Sequence, residues 1–99
     1  MRVCLKVQIP VEAGNKAITD GDMQPKLKTL MDQLNPEAAY FFPQDGMRTM
    51  MLFFDLKETS MIPPITEPLF EGLNAQVDFS PVMNLDDLMA GLRKIESSR

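Results

Sequence analysis

The sequence contains no histidine and no tryptophan, and Cys4 is its only cysteine. Without histidine the chain lacks the side chain that most often acts as general base or metal ligand near neutral pH. One thiol allows no disulfide within the chain, which fits a reducing cytosol, and cannot by itself assemble a zinc, haem or iron–sulfur site. Positive charge is also short: ten Lys and Arg stand against fourteen Asp and Glu, for a net charge of -4. A nucleic-acid groove needs basic residues concentrated on one face, and these are scattered with no aromatic interleaving. No stretch approaches the roughly 18 apolar residues of a membrane span. The opening MRVCLKVQIP is interrupted by Lys6 and has neither the apolar run nor the cleavage site of a signal peptide. These absences set the expectation of a cytoplasmic protein with no cofactor, metal, nucleic acid or membrane partner.

What is present is apolar. Hydrophobic residues make up 44% of the 99, enough for one domain over residues 1–99 that buries about two-thirds of its unfolded surface. From Arg2 to Ile9 the pattern has period two, with Val3, Leu5, Val7 and Ile9 alternating against Arg2, Cys4, Lys6 and Gln8; this reads as a strand ended by Pro10. A short helix is expected over 13–20. The DGD at 20–22 begins like a calcium loop, but Met31 stands where the closing glutamate belongs. It reads instead as a stop at Gly21 and a fresh helix cap at Asp22. Met23, Leu27, Leu30, Met31 and Leu34 then form one stripe at helical spacing, with Pro25 in the first turn and Asn35-Pro36 at the end.

Asp45-Gly46 is the preferred centre of a two-residue hairpin turn, because both positions need positive φ. That turn fixes the pairing of Gln44 with Met47, Phe42 with Thr49, Tyr40 with Met51 and Ala38 with Phe53. One face then carries Tyr40, Phe42, Thr49, Met51, Phe53 and Asp55; the other, almost purely apolar, carries Ala39, Phe41, Met50, Leu52, Phe54 and Leu56 and should meet helices. Thr59 or Ser60 can cap the next helix, where Ile62, Ile65, Leu69 and Leu73 keep helical spacing despite Pro63, Pro64 and Pro68. Pro68 has no N–H for the Pro64 carbonyl, so a short, kinked helix is expected. A strand at 75–82 follows. The last helix has Asn84 as cap, Asp86 and Asp87 in its first turn, Arg93 and Lys94 in its last, and Leu85, Leu88, Met89, Leu92 and Ile95 as its stripe.

The order strand, helix, strand, strand, helix, strand, helix predicts an α+β fold of the ferredoxin-like split βαββαβ type with an extra C-terminal helix. An antiparallel four-stranded sheet would carry its helices on one face only. The opposite face, roughly 440 Å² by strand geometry, presents Cys4, Lys6, Gln8, Tyr40, Phe42, Thr49, Met51, Phe53, Gln76, Asp78 and Ser80. With about half of it apolar, covering it is worth about 5 kcal/mol per subunit at ~25 cal/mol per Å². Phe42, Met51 and Phe53 would be wet in a monomer, so a homodimer through this face is expected.

The element order and mixed outer face resemble the dimeric α+β-barrel superfamily, whose small ferredoxin-like subunits pair through their sheets. Its members include cofactor-free monooxygenases and muconolactone isomerase-like proteins. The stretches KVQIPVEAGNKAI and PEAAYFFPQDGMRT with the PVM–LDDL ending also resemble one family of short bacterial proteins of unknown function. The resemblance covers nearly the whole chain and implies fold rather than activity. Several of the superfamily's enzymes rely on a histidine, which this chain lacks.

Candidate site residues are therefore few. Cys4 has no imidazole to activate it and reads as a half-buried strand residue. Asp78 is either a general base or a structural group that salt-bridges Lys6 or lines the dimer interface, and Tyr40 either orients a ligand or packs in the interface. Arg48 reads as solvated. Nine methionines suit either a pliable ligand surface or filler in a small core. Two functions fit. One is a non-catalytic homodimeric binder of a small apolar or weakly polar molecule, or an accessory subunit, with Tyr40, Thr49 and Asp78 as polar selectors. The other is a cofactor-independent monooxygenase- or isomerase-like enzyme working through pocket shape with Tyr40 and Asp78. The missing histidine and metal ligands favour the first, with no catalytic residue assigned. The expected cavity lies between sheet and helices, walled by Leu52, Phe54, Met31, Ile65 and Leu69.

Overall fold

A computed structural model describes residues 1–99. Strand β1 (Arg2–Ile9) leads into helix α1 (Val11–Thr19) and helix α2 (Met23–Leu34). The hairpin β2 (Ala38–Gln44) and β3 (Met47–Asp55) follows, then a 3-10 turn at Thr59–Met61, helix α3 (Ile62–Leu73), strand β4 (Gln76–Pro81) and helix α4 (Leu85–Ser97). The strands form one antiparallel sheet in the order β2-β3-β1-β4, consistent with a ferredoxin-like α+β fold.

The local chemistry that punctuates the chain acts as the residue types dictate. Asp45 and Gly46 both hold positive φ, at 55° and 73°, so the tight turn forms and sets the hairpin register at Gln44↔Met47, Phe42↔Thr49, Tyr40↔Met51 and Ala38↔Phe53. Gly21 at φ 76° releases the chain from α1. Asn35 and Asn74 end α2 and α3 in the left-handed conformation, which asparagine tolerates better than most side chains. Asn84 caps α4: its Oδ1 accepts from the Asp87 N–H at 2.8 Å, and its own N–H donates to Asp87 Oδ2 at 3.1 Å, a reciprocal capping box.

Three expectations are corrected. Asp22 stands at the start of α2 without bonding a backbone N–H. Its φ and ψ are already helical, which turns the carboxylate away from the capping position. Neither Thr59 nor Ser60 caps α3, because a 3-10 turn is interposed and the Ser60 hydroxyl donates to Glu58 instead. Phe41, on the helix-facing side of β2, remains more than half exposed, since β2 is an edge strand and the helices do not reach over it.

The core lies between the sheet and α1, α2 and α3. Val3, Leu5, Val7 and Ile9 of β1 and Met50, Leu52 and Phe54 of β3 are buried with Leu30, Leu34, Ile65, Leu69 and Leu73 of the helices. Phe79 of β4 meets Phe54 edge to face, ring centroids 6.2 Å apart, a favoured aromatic geometry. α3 runs unbroken through Pro68, because the buried stripe of Ile65, Leu69 and Leu73 outweighs one absent backbone bond.

α4 stands apart. None of its residues is buried, and its tie to the body is the Arg2 guanidinium, which bonds Glu37 and reaches Asp87 at 3.5 Å. The chain consequently extends 58 × 28 × 19 Å with a radius of gyration of 16.2 Å, where a compact domain of this length has about 13 Å.

Leu52 is fully buried at the centre of this core. Leu52→Ala should destabilise the fold by about 3 kcal/mol, read as a lower urea midpoint at unchanged slope.

Candidate functional site

Strand alternation sorts the side chains into two surfaces. On the outer face the register aligns three rungs across the sheet: Ala38, Phe53, Cys4 and Ser80; Tyr40, Met51, Lys6 and Asp78; Phe42, Thr49, Gln8 and Gln76. Phe42, Met51 and Phe53, expected to form a dimer face, lie on successive rungs of this surface and are half-buried. The expected polar selectors are not gathered. Tyr40 and Asp78 share a rung but stand on opposite edge strands, three strand spacings or about 14 Å apart. Asp78 lies directly opposite Lys6, yet the two form no ion pair, so both remain open to other partners.

Thr49 is occupied differently. It is only 4% exposed, and so is its neighbour Gln8 at 6%. The Thr49 hydroxyl donates to the Met47 carbonyl at 3.1 Å and lies 3.4 Å from the Gln8 amide. Gln8 Nε2 also donates to Asp45 Oδ2 at 3.0 Å and to the Gln44 carbonyl at 3.3 Å. These bonds tie the hairpin tip to β1 and satisfy polar groups that would otherwise be costly to bury. Thr49 thus serves the hairpin. One acceptor in this corner, Gln44 Oε1, is buried with no partner.

The cavity walled by Leu52, Phe54, Met31, Ile65 and Leu69 is corrected. Leu52 and Phe54 are sealed in close-packed core, while Ile65 and Leu69 border a shallow cleft of about 270 Å³ between α2 and α3, beside Pro68. The more apolar opening lies at the hairpin end of the sheet, where α1 and α2 stop short of β2. It has a volume of about 300 Å³ and is lined by Ile9, Ile18, Met23, Leu27, Phe41, Phe42, Pro43 and Met50, with Arg48 and the expected selector Thr49 as its polar members. The same shortfall that exposes Phe41 creates it.

Arg48 is exposed, as expected, but it also lies against α1. Its guanidinium crosses α1 and donates to Asn15 Oδ1 at 3.0 Å. A Cβ on Gly14 would sit 2.6 Å from Arg48 Nη1, so the glycine makes room for this crossing. Arg48 has no carboxylate partner, and no acid lines the opening. The site therefore offers apolar shape, one guanidinium and Thr49, whose hydroxyl is already bonded within the hairpin, with no acid or thiol among its lining residues. No cluster of three or more His, Cys, Asp or Glu side chains is placed to hold a metal ion, and no helix is long and apolar enough to cross a membrane.

No protein-family model matches the chain, and no curated protein matches it either. The geometry of the chain carries the functional reading by itself.

Cys4 sits on the outer face between Phe53 and Ser80. Burial pushes its thiol pKa up, and Lys6 only partly offsets this. Less thiolate at neutral pH means slower attack. Iodoacetamide at pH 7.5 should modify Cys4 more slowly than free cysteine, with a rate–pH midpoint above the ordinary thiol value. Cys4→Ser should retain ligand binding.

Proposed function

We propose that the protein is a homodimeric, non-catalytic module that binds a small apolar or weakly polar molecule in the opening beside the β2–β3 hairpin. The observation that carries this reading is the lining: mostly apolar walls from α1, α2 and the strands β1, β2 and β3, with the Arg48 guanidinium, Thr49 and no acid or thiol. Binding sites for small molecules are concave and mostly apolar with few polar groups, and about 300 Å³ suits a ligand of one ring or a short aliphatic chain. Arg48 at the rim adds a donor fork for a carbonyl or carboxylate, which widens the ligand class to apolar molecules with one polar end.

Dimerisation through Phe42, Met51 and Phe53 belongs to the same proposal. It agrees with the resemblance to the dimeric α+β barrels and with the half-exposed apolar side chains of Phe42, Met51 and Phe53 on one face. The enzyme reading has less behind it, because Tyr40 and Asp78 stand about 14 Å apart by strand spacing.

The test is a thermal-shift and native mass spectrometry screen of small aromatic and aliphatic compounds, each with and without a carboxylate. A binder at ten times its dissociation constant should stabilise the fold by about 1.4 kcal/mol. Ile18 lines the opening and is half exposed, so Ile18→Glu should abolish the shift while the protein stays folded. A broad library with no shift, or binding that survives Ile18→Glu, would reject this site.

A further inference from the structure

The period of α1 ties the charged end of Arg48 to the apolar opening. The guanidinium donates to Asn15 Oδ1 at 3.0 Å, reaches the Val11 carbonyl at 3.5 Å and lies over Gly14. Val11, Gly14, Asn15 and Ile18 stand at i, i+3, i+4 and i+7 of α1, which is one face of the helix. Ile18 and Arg48 both line the opening. The positive charge therefore rests one helical turn from Ile18, on the α1 side of the mouth.

Its charge is held in place but not compensated. Gly14 is buried within α1, where glycine is a poorer helix former than alanine. A Cβ there would stand 2.6 Å from Arg48 Nη1 and 3.3 Å from its Cδ, so the berth needs the glycine. Of the five N–H groups of the fork, α1 engages two, both through neutral oxygens. Arg48 enters none of the molecule's ion pairs. Asp45, the nearest acid along the chain, accepts from Gln8 Nε2 instead. A positioned guanidinium with free donors, beside apolar walls and away from any acid, matches the geometry of a carboxylate.

We infer that the ligand of this opening is a small monocarboxylic acid, with Arg48 holding the carboxylate and Ile18, Leu27, Phe41 and Met50 covering a body of one ring or a short chain. The inference rests on the binding site proposed above and narrows its ligand from apolar molecules in general to organic acids of one charge. Arg48 is the one charged residue of the lining. A second carboxylate on the same ligand would face apolar walls without a partner, which is costly. Gly14 is a positioning residue, since it lets the guanidinium rest on α1 beside the opening. The net charge of -4 draws no anion from a distance, so the preference for an acid comes from the Arg48 contact.

Matched probes test this on the full chain. Calorimetric titration near pH 7.5 compares benzoate with benzamide and hexanoate with hexanamide, so that only the charged end differs within each pair. An exposed ion pair adds little by itself, but a two-pronged bond from a fork already held in place adds more. Each acid should bind about fivefold tighter than its amide. Adipate, which is hexanoate with a second carboxylate, should bind more weakly than hexanoate. Arg48→Gln should lower each acid to the level of its amide and leave the amide unchanged. Gly14→Ala displaces only the flexible end of Arg48, so it should shrink the acid's advantage without lowering the melting temperature. Salt at about 0.5 M should shrink it in the wild type as well. Equal binding of acid and amide by the wild type would overturn the inference without any variant. So would an acid preference that survives Arg48→Gln, or adipate binding as tightly as hexanoate. An unchanged preference in Gly14→Ala would overturn the positioning role of that glycine. If acids and amides bind equally and Ile18→Glu abolishes both, the opening stands and the carboxylate assignment alone fails. If no probe binds, the opening fails with it.

Discussion

A short chain can cover only one face of its sheet, and most of what is unusual here follows from that limit. β1 and β3 run through the middle of the sheet with apolar residues on both sides. On one side Leu5, Val7, Met50 and Leu52 are sealed by α1, α2 and α3 to almost no exposure. That side holds the fold together, since apolar burial is the dominant favourable contribution. On the other side Met51, Phe53 and Phe42 pair across the strands and stay half-buried. The remaining helix, α4, is spent elsewhere, projecting from the end where Arg2 meets Asp87.

Where local chemistry decides, the sequence was legible. Asp45-Gly46 dictates the hairpin turn, the turn dictates register, and register places every residue of β2 and β3 on its face. The β1 alternation and the Asn84 cap are of the same kind. Where an outcome depends on how far one element reaches over another, the pattern says little. Period and polarity mark Phe41 as facing the helices, but not that α1 and α2 end before they cover it. The expected cavity beneath Leu52 and the actual opening beside Phe41 differ for this reason. Tyr40, Thr49 and Asp78 share an outward direction, yet only the strand order shows that Tyr40 and Asp78 lie at opposite edges. Thr49 looked available because alternation points it outward; Gln8 and the hairpin tip enclose it. The role of Gly14 as a berth for Arg48 had no signal in the sequence, since a glycine in a helix pattern does not announce which side chain crosses it.

The candidate site and the proposed assembly face are linked through β3. Its inner residue Met50 lines the apolar opening, and the adjacent outer residue Met51 belongs to the uncovered face. A partner that fixes the outer face also steadies the strand that walls the site, so ligand binding and dimerisation are expected to reinforce each other by linkage. The Gln8–Thr49–Asp45 bonds hold the hairpin tip to β1 and keep this wall in place.

The central claim is that the outer sheet face is a surface between copies of the chain. Light scattering behind size exclusion, at micromolar protein, is the most direct measurement. The account predicts twice the 11.2 kDa chain mass. A single-chain mass that persists as concentration rises would contradict it.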